Sequence, residues 1–426
     1  MIITNKPITI SNGVNLHLFQ TDAFKTTTIK AFIHLPLDEN ATANALLVRT
    51  LSRGCRKYPT MRKISSFLDS LYGAIFGADI SKIGERHIIE LYFEFISRRF
   101  LSKNTDNTRY ALNFLRQIIF SPLLLKGSFR PDYFSQEQTK LKDLIKSVYD
   151  DKGSYADERC TQEMCKDEPY RIYEYGEIKR VDKLSPEEVL NHYRNIVLKS
   201  PIDIFVCGPS GIDRIRRTVA DIFKPRLRKP KSFQAPVIPA TIINKEVSKE
   251  RLVREKEQID QAKLVMGYRT YTSWEDKNIF GLMMASGILG GFPHSKLFRY
   301  VREKAGLAYY ASSLLEKSKG LMFIRAGINH DKFNDALKII KEQAAAIQSG
   351  DITDSEINDT RSGILNRLRA IEDNASAFID YSMELSINNR KDSLKELKQQ
   401  FLAVKKEDIV RAIQKLKLDT VYFLTK

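Results

Sequence analysis

The sequence lacks the features of a membrane protein and of a protein held together by disulfides. Four cysteines in 426 residues are too few for a disulfide framework. Cys160 and Cys165 are five positions apart, which is the wrong spacing for a CxxC redox or metal pair. No run of 18 apolar residues is present, so no membrane span is expected. The first residues lack the basic-then-apolar order of a signal peptide. We therefore expect reduced thiols and a cytoplasmic location.

Clustered histidines are also lacking. No two of the six histidines lie within ten residues of each other. Two zinc-binding histidines on one helix need a spacing of four, so that both reach the same ion. Residues 287–291, Gly-Ile-Leu-Gly-Gly, match neither a dinucleotide fingerprint nor a P-loop. We expect a tight turn between helices there, and no metal or cofactor bound by this chain.

Positive charge is abundant, with 69 Lys and Arg against 52 Asp and Glu and a net charge of +17. Such an excess can indicate a nucleic acid, an anionic membrane surface or an acidic partner. The basic residues are, however, spread along the whole chain and interleaved with acids. The densest run, residues 224–231, lies in a proline-rich stretch typical of a linker. We expect no nucleic-acid binding. The excess positive charge would instead attract either acidic peptides or an acidic partner protein.

The chain divides into two halves with the same predicted order of elements. Each half starts with a strand, continues through two helices, a hairpin and long amphipathic helices, and ends in an apolar strand. We therefore predict an α+β fold of two homologous halves, with mixed or antiparallel sheets packed against helices. The predicted domains are residues 1–223 and 247–426, joined by a basic linker at 224–246. In the first half, strands are predicted at 27–35, 73–80, 86–95 and 202–208, and helices at 43–53, 61–71, 134–148 and 185–195. In the second half, strands are predicted at 262–269, 308–314, 320–327 and 420–424, and helices at 274–289, 294–304, 332–348 and 353–372.

An arginine and a tyrosine stand out in the second half. Arg302 and Tyr309 are seven residues apart, and a continuous helix would place them on one face two turns apart. The Ala305-Gly306 step indicates instead that the helix ends and the chain turns into a strand. A guanidinium at a helix end and a phenol on the next strand could both donate hydrogen bonds to a peptide carbonyl as it gains negative charge.

Residues 295–309 resemble a conserved stretch of the insulinase/pitrilysin-type zinc metallopeptidases, S-x-L-F followed by V-R-E-K-x-G-L-x-Y. Residues 167–170 and 184–193 are similar to further landmarks of that family. The resemblance implies a chain that forms half of a clam-shell chamber. It also implies that Arg302 and Tyr309 bind the substrate.

The active members of that family carry an inverted zinc motif, H-x-x-E-H, on a helix of the first half. In those members a glycine follows the motif and an acidic pair follows the third zinc ligand. We located the equivalent positions in this sequence by counting back from these two landmarks. Those degenerate zinc-site positions are Ala45, Val48, Arg49 and Leu144. Alanine, valine and leucine cannot ligate zinc, and a guanidinium would repel it.

The resemblance therefore implies a chain that is no enzyme by itself but a subunit of a heterodimeric zinc endopeptidase. The zinc would be held by a homologous H-x-x-E-H partner subunit encoded separately, and the substrate would be a peptide. One alternative is a purely structural or peptide-binding assembly protein of the same fold with no role in cleavage. A homodimer of this chain alone is also left open.

Overall fold

The computed structural model describes residues 2–3, 7–11, 13–101, 105–197, 199–223 and 236–426. The basic run at 224–231 lies outside these residues, and residues 236–246 of the predicted linker form neither helix nor strand. Within the described ranges, no helix is both long enough and apolar enough to cross a bilayer. All four cysteines are described and buried, and none forms a disulfide.

The first half alternates sheet strands with helices. Its strands are β1 (Ile2–Ile3), β2 (Ile8–Ser11), β3 (Val14–Gln20), β4 (Thr26–Pro36), β5 (Ile75–Ile83), β6 (Arg86–Ile96), β7 (Leu124–Leu125), β8 (Ser128–Phe129) and β9 (Ile202–Gly208). Its helices are α1 (Ala41–Ser52), α2 (Met61–Ser70), α3 (Asn107–Phe120), α4 (Pro131–Asp150), α5 (Lys152–Met164), α6 (Ile178–Val181), α7 (Pro186–Val197) and α8 (Ile212–Phe223).

The second half follows the same course. Its strands are β10 (Arg251–Lys256), β11 (Ala262–Arg269), β12 (Ala308–Glu316), β13 (Leu321–Ile328) and β14 (Lys417–Thr425). Its α-helices are α9 (Ile279–Ser286), α10 (Phe333–Gln348), α11 (Asp354–Glu372), α12 (Ala375–Ile387), α13 (Leu394–Ala403) and α14 (Lys406–Gln414). Between α9 and β12 the chain forms two π-helical segments, Gly287–Gly291 and Phe298–Lys304.

The two main sheets repeat one topology. The first has the strand order β1-β3-β9-β4-β6-β5, and the second has the order β10-β14-β11-β13-β12. In each sheet one pair is parallel, β3 with β9 and β10 with β14, and the pairs that follow it are antiparallel. The predicted α+β fold with two homologous, sheet-rich halves is confirmed.

The alternation of side chains along the strands explains how the first sheet is packed. Ile29, Ala31 and Ile33 of β4 are fully buried against the helices on one face of the sheet, together with most of α1. The intervening Lys30 lies on the other face, where its ammonium contacts Glu90 at 2.8 Å. Both faces of β4 are buried, and the Lys30 face also carries Phe32, whose ring packs against Phe205.

By contacts the chain forms two compact units, and each contains segments from both halves of the sequence. The first consists of residues 1–146, 172–239 and 373–381; the second consists of residues 147–171, 240–372 and 382–426. In the second unit α5 packs on the sheet, because Gly267 has no side chain where Met164 approaches. The predicted domain boundaries at 223/224 and 246/247 stay a prediction.

Two predicted helices of the second half differ in detail. The helix predicted from residue 274 begins at Ile279. Before it, a turn forms in which the Asp276 amide donates to Ser273 O and the Asp276 carboxylate accepts from the Asn278 amide. The helix predicted at 294–304 is π-helical over Phe298–Lys304.

Candidate substrate-binding segment and degenerate metal position

The helix end that was predicted after Arg302 is a turn at Gly306. Gly306 has a φ of +60°, which L residues with a side chain rarely adopt. The Leu307 amide donates back to Val301 O at 3.0 Å, and the Ala305 amide donates to Tyr300 O at 3.2 Å. These bonds satisfy carbonyl groups that the end of a helix leaves without partners. The chain then enters β12 at Ala308, as the sequence predicted.

Tyr309 is the extra residue of a β-bulge. Ala308 pairs with Ile328 and Tyr310 pairs with Gly327, so Tyr309 has no opposite residue on β13. Its side chain is 76% exposed. Since a bulge re-aims the side chain it carries and β12 ends its sheet, the phenol is presented to solvent at a sheet edge. The sequence predicted the strand but carried no sign of the bulge.

Arg302 is exposed on the π-helical segment. Its guanidinium lies over the Phe298 ring, 4.8 Å from the ring centre. Such a cation–π contact holds the guanidinium group in place and leaves its N–H groups free to donate hydrogen bonds to a ligand. The structure thus places both predicted substrate-binding residues at the surface of the second unit, on either side of the Gly306 turn.

The degenerate zinc positions are occupied by core packing and an ion pair. Ala45 and Val48 are fully buried in α1 and belong to the hydrophobic core of the first unit. Arg49, one residue further, has its Nε 3.4 Å from Glu137 Oε2. Leu144 is half-buried against the same core.

Glu137 was missed by the sequence reasoning. It is a buried carboxylate on α4, two turns before Leu144, and it also lies 3.5 Å from Arg53 and 3.1 Å from Lys140. Glu137 thus pairs with Arg49 of α1, and the assignment of Leu144 to the third zinc ligand stays a prediction. The only signal available in the sequence was a lone glutamate at a core-facing helical position.

A buried polar chain flanks Ala45. Asn44 Nδ2 donates to His87 Nδ1 at 3.0 Å, His87 Nε2 donates to Glu174 O at 2.8 Å, and His192 Nε2 donates to Asn44 Oδ1 at 2.7 Å. Burial lowers the pKa of His87 and of His192 to about 4, so both rings are neutral near pH 7. These bonds fix the first turn of α1. Over the described residues, no group of three or more His, Cys, Asp or Glu is arranged to hold a metal ion.

Comparisons with known proteins agree with this picture. A family profile described as "Peptidase M16 inactive domain" matches residues 183–364. The "Probable inactive metalloprotease YmfF" of Bacillus subtilis is 34% identical over 413 residues, which is 97% of this chain and 96% of that protein. The "Uncharacterized zinc protease YmxG" of the same organism is 22% identical and covers 79% of this chain and 81% of that protein.

Solved structures show the same fold. A conserved protein from Enterococcus faecalis superposes with a TM-score of 0.90 at 28% identity, covering 99% of this chain and 98% of that one. A peptidase M16 inactive domain from Pseudomonas fluorescens superposes with a TM-score of 0.80 at 15% identity, covering 100% and 98%. These likenesses identify the chain as an inactive member of the insulinase-type peptidase M16 family.

Proposed function

We propose that this chain is the non-catalytic subunit of a two-chain zinc endopeptidase. The observation that carries the proposal is the exposed Tyr309, projected from a bulge on an edge strand just after the exposed Arg302. The chain builds hydrogen-bond donors at its surface, while Ala45 and Val48 leave it without metal ligands on α1. Such donors serve cleavage only when another chain brings the zinc and its water.

The roles of the two side chains follow from their chemistry. Arg302 and Tyr309 would donate hydrogen bonds to the peptide carbonyl under attack, whose oxygen becomes negative in the transition state. Removing one donor of this kind typically costs about 10²–10³ in rate. An extended peptide could also add as a strand beside β12, since that strand ends its sheet. The partner would be a homologous H-x-x-E-H subunit that supplies the zinc.

The net charge and the cysteines support the proposed ligands of this complex and its proposed compartment. The net charge of +17 would attract acidic peptides or an acidic partner surface and speed their encounter with the chain. Buried cysteines that form no disulfide fit a reducing compartment, and we place the complex in the cytoplasm.

A mixing experiment tests the proposal. This chain, an H-x-x-E-H homologue and an equimolar mixture of the two are each incubated with a library of fluorogenic peptides, with and without a zinc chelator. We expect chelator-sensitive cleavage that appears only in the mixture, together with a 1:1 complex in sedimentation. A mixture no more active than the homologue alone would contradict the proposal and favour the structural or assembly role.

A further inference from the structure

One face of α11 contacts several residues of the segment that leads to Arg302. Four residues of that helix, spaced by four, three and four positions, share a face. They are Glu356, Thr360, Gly363 and Arg367. Each of them touches a residue between 287 and 299, a range that includes the π-helical Gly287–Gly291 and the first turn of the second π-helical segment.

At one end of this face, Glu356 forms a buried ion cluster. Its Oε1 atom lies 3.1 Å from Lys296 Nζ and 3.6 Å from Arg299 Nη1. Its Oε2 atom accepts the Thr353 amide at 2.9 Å and so caps the start of α11. The Lys296 and Glu356 side chains are each less than 10% exposed. One carboxylate therefore ties the beginning of α11 to the turn of chain just before Arg302.

At the other end, α11 clamps the ring of Phe292. Gly363 leaves room for the ring, since a Cβ atom there would come within 2.5 Å of it. The Arg367 guanidinium lies 4.1 Å above the ring centre and donates to Gly291 O at 2.7 Å. Between the two ends, His294 Nε2 lies 3.2 Å from Thr360 Oγ1.

We propose that this face of α11 positions Arg302, with Glu356 and Arg367 as the positioning residues; the inference rests on the proposed function. Arg302 and Arg299 lie on a π-helical segment of seven residues, and Lys296 comes just before it. That segment is too short to hold its direction alone, because isolated short helices are marginal in water. Two anchors on a 19-residue helix fix it from outside.

The test is a double-mutant cycle in the peptidase mixture. We expect Glu356→Gln to lower kcat/KM about 10- to 100-fold, since a misplacement of about 1 Å is enough for such a loss. The matched control is Glu372→Gln, which removes a similar carboxylate from the same helix, where it pairs with Lys398 at 2.6 Å. The control is expected to change kcat/KM less than about twofold. In an Arg302→Ala background, Glu356→Gln is expected to add less than about twofold, since it acts through Arg302.

Each outcome decides a separate claim. An additive effect of Glu356→Gln in the Arg302→Ala background would overturn the positioning role and leave only a loss of folded protein. Equal effects of Glu356→Gln and Glu372→Gln would overturn it as well. Full activity of Arg302→Ala alone would overturn the proposed function and, with it, this inference.

A second variant covers the case in which Glu356→Gln fails to fold. Arg367 is exposed, so Arg367→Ala should leave the fold intact, and Arg369→Ala on the same helix is its control. We expect Arg367→Ala, and not Arg369→Ala, to speed amide hydrogen exchange across residues 287–304 at least tenfold in the chain alone. It should also show the same non-additivity with Arg302→Ala. Unchanged exchange in that segment would overturn the inference.

Discussion

Glu168 lies at the centre of a fully buried ion network in the second unit. Its two carboxylate oxygens accept from Arg269 at 2.6 and 3.0 Å and from Lys319 at 2.7 Å. Arg269 also donates to Asp419 at 3.0 Å, so two buried cations face two carboxylates. The prediction developed first is the effect of Glu168→Gln, which keeps the shape of the side chain and removes one negative charge.

The expected loss of stability follows from the charged groups that remain after the substitution. After the substitution, Arg269 still has Asp419, which Arg251 also contacts at 2.9 Å, and Lys319 still has Ile242 O, but both buried cations lose the carboxylate of Glu168. Removing one partner of a buried ion pair costs about 3–5 kcal/mol, because the remaining charge stays out of water. For a unit of this size, that corresponds to a fall in Tm of about 6–20 °C.

The dependence on pH provides an internal check. Burial alone would raise the pKa of Glu168, but hydrogen bonds from Arg269 and Lys319 outweigh it, and the net pKa lies below the ordinary 4.5. Its stabilising effect is therefore complete above pH 4.5 and is lost as the pH falls through the lowered pKa. The difference between wild type and Glu168→Gln should be constant from pH 6 to 8 and shrink in acid.

The assay uses the single tryptophan of the chain. Trp274 is fully buried in the second unit and its Nε1 donates to Glu384, so its fluorescence reports the unfolding of that unit. Urea titrations of wild type, Glu168→Gln and the neighbouring Asp167→Asn would be compared. Asp167 is exposed and pairs with Lys245, so the control should lose less than about 1 kcal/mol. A loss below 1 kcal/mol for Glu168→Gln, or equal losses in both variants, would refute the reasoning.

Three further changes have defined outcomes. Burial raises the pKa of Asp157 to about 6 despite its contact with Arg325, so the folded chain takes up a proton between pH 7 and 5 that the unfolded chain does not. Wild type should therefore gain about 1 kcal/mol over that interval relative to Asp157→Asn in Trp274-monitored urea titrations, and parallel curves would contradict this. Gly306→Ala should lose about 1–2 kcal/mol in the same titrations, because the φ of +60° strains a side chain although a Cβ would meet no atom within 4 Å; no loss would rule out the strained turn. Glu137→Gln should lower the free energy of unfolding, followed by circular dichroism, by about 1–3 kcal/mol, because Arg49 and Arg53 lose their carboxylate partner. Zinc or EDTA should leave the Tm of wild type unchanged. A rise in Tm with zinc would contradict the account of α1.

Much of the fold could be predicted because strands and helices bury one face each. The strands predicted at 262–269 and 202–208 have those bounds in the structure, since both are short runs rich in apolar residues. The repeated order of elements along the two halves was also predicted. The sequence could not predict that each unit contains a segment from the other half of the chain. That assignment depends on which sheet α5 and the start of α12 pack against in the folded protein.

The candidate site could be predicted only in part. The helix end at Gly306 and the strand start at Ala308 were predicted, because both are local features, and the substrate-binding role of Arg302 and Tyr309 stays a prediction. The bulge at Tyr309 depends on the exact register with β13, and the π-helical segment contacts α11, which lies about 50 residues further along the chain, so neither feature shows in the local sequence. The place of Glu137 opposite Arg49 was missed, since counting along the chain carries no information on the rotation of α4.

The most direct test of the central claim is the kcat/KM of the zinc-containing mixture with two variants of this chain. Arg302→Ala and Tyr309→Phe each remove one donor, and both side chains are exposed, so the fold should survive. The account predicts a fall of about a hundredfold for each variant, with complex formation unchanged. Wild-type rates with both variants, in a mixture that still cleaves only when both chains are present, would contradict it.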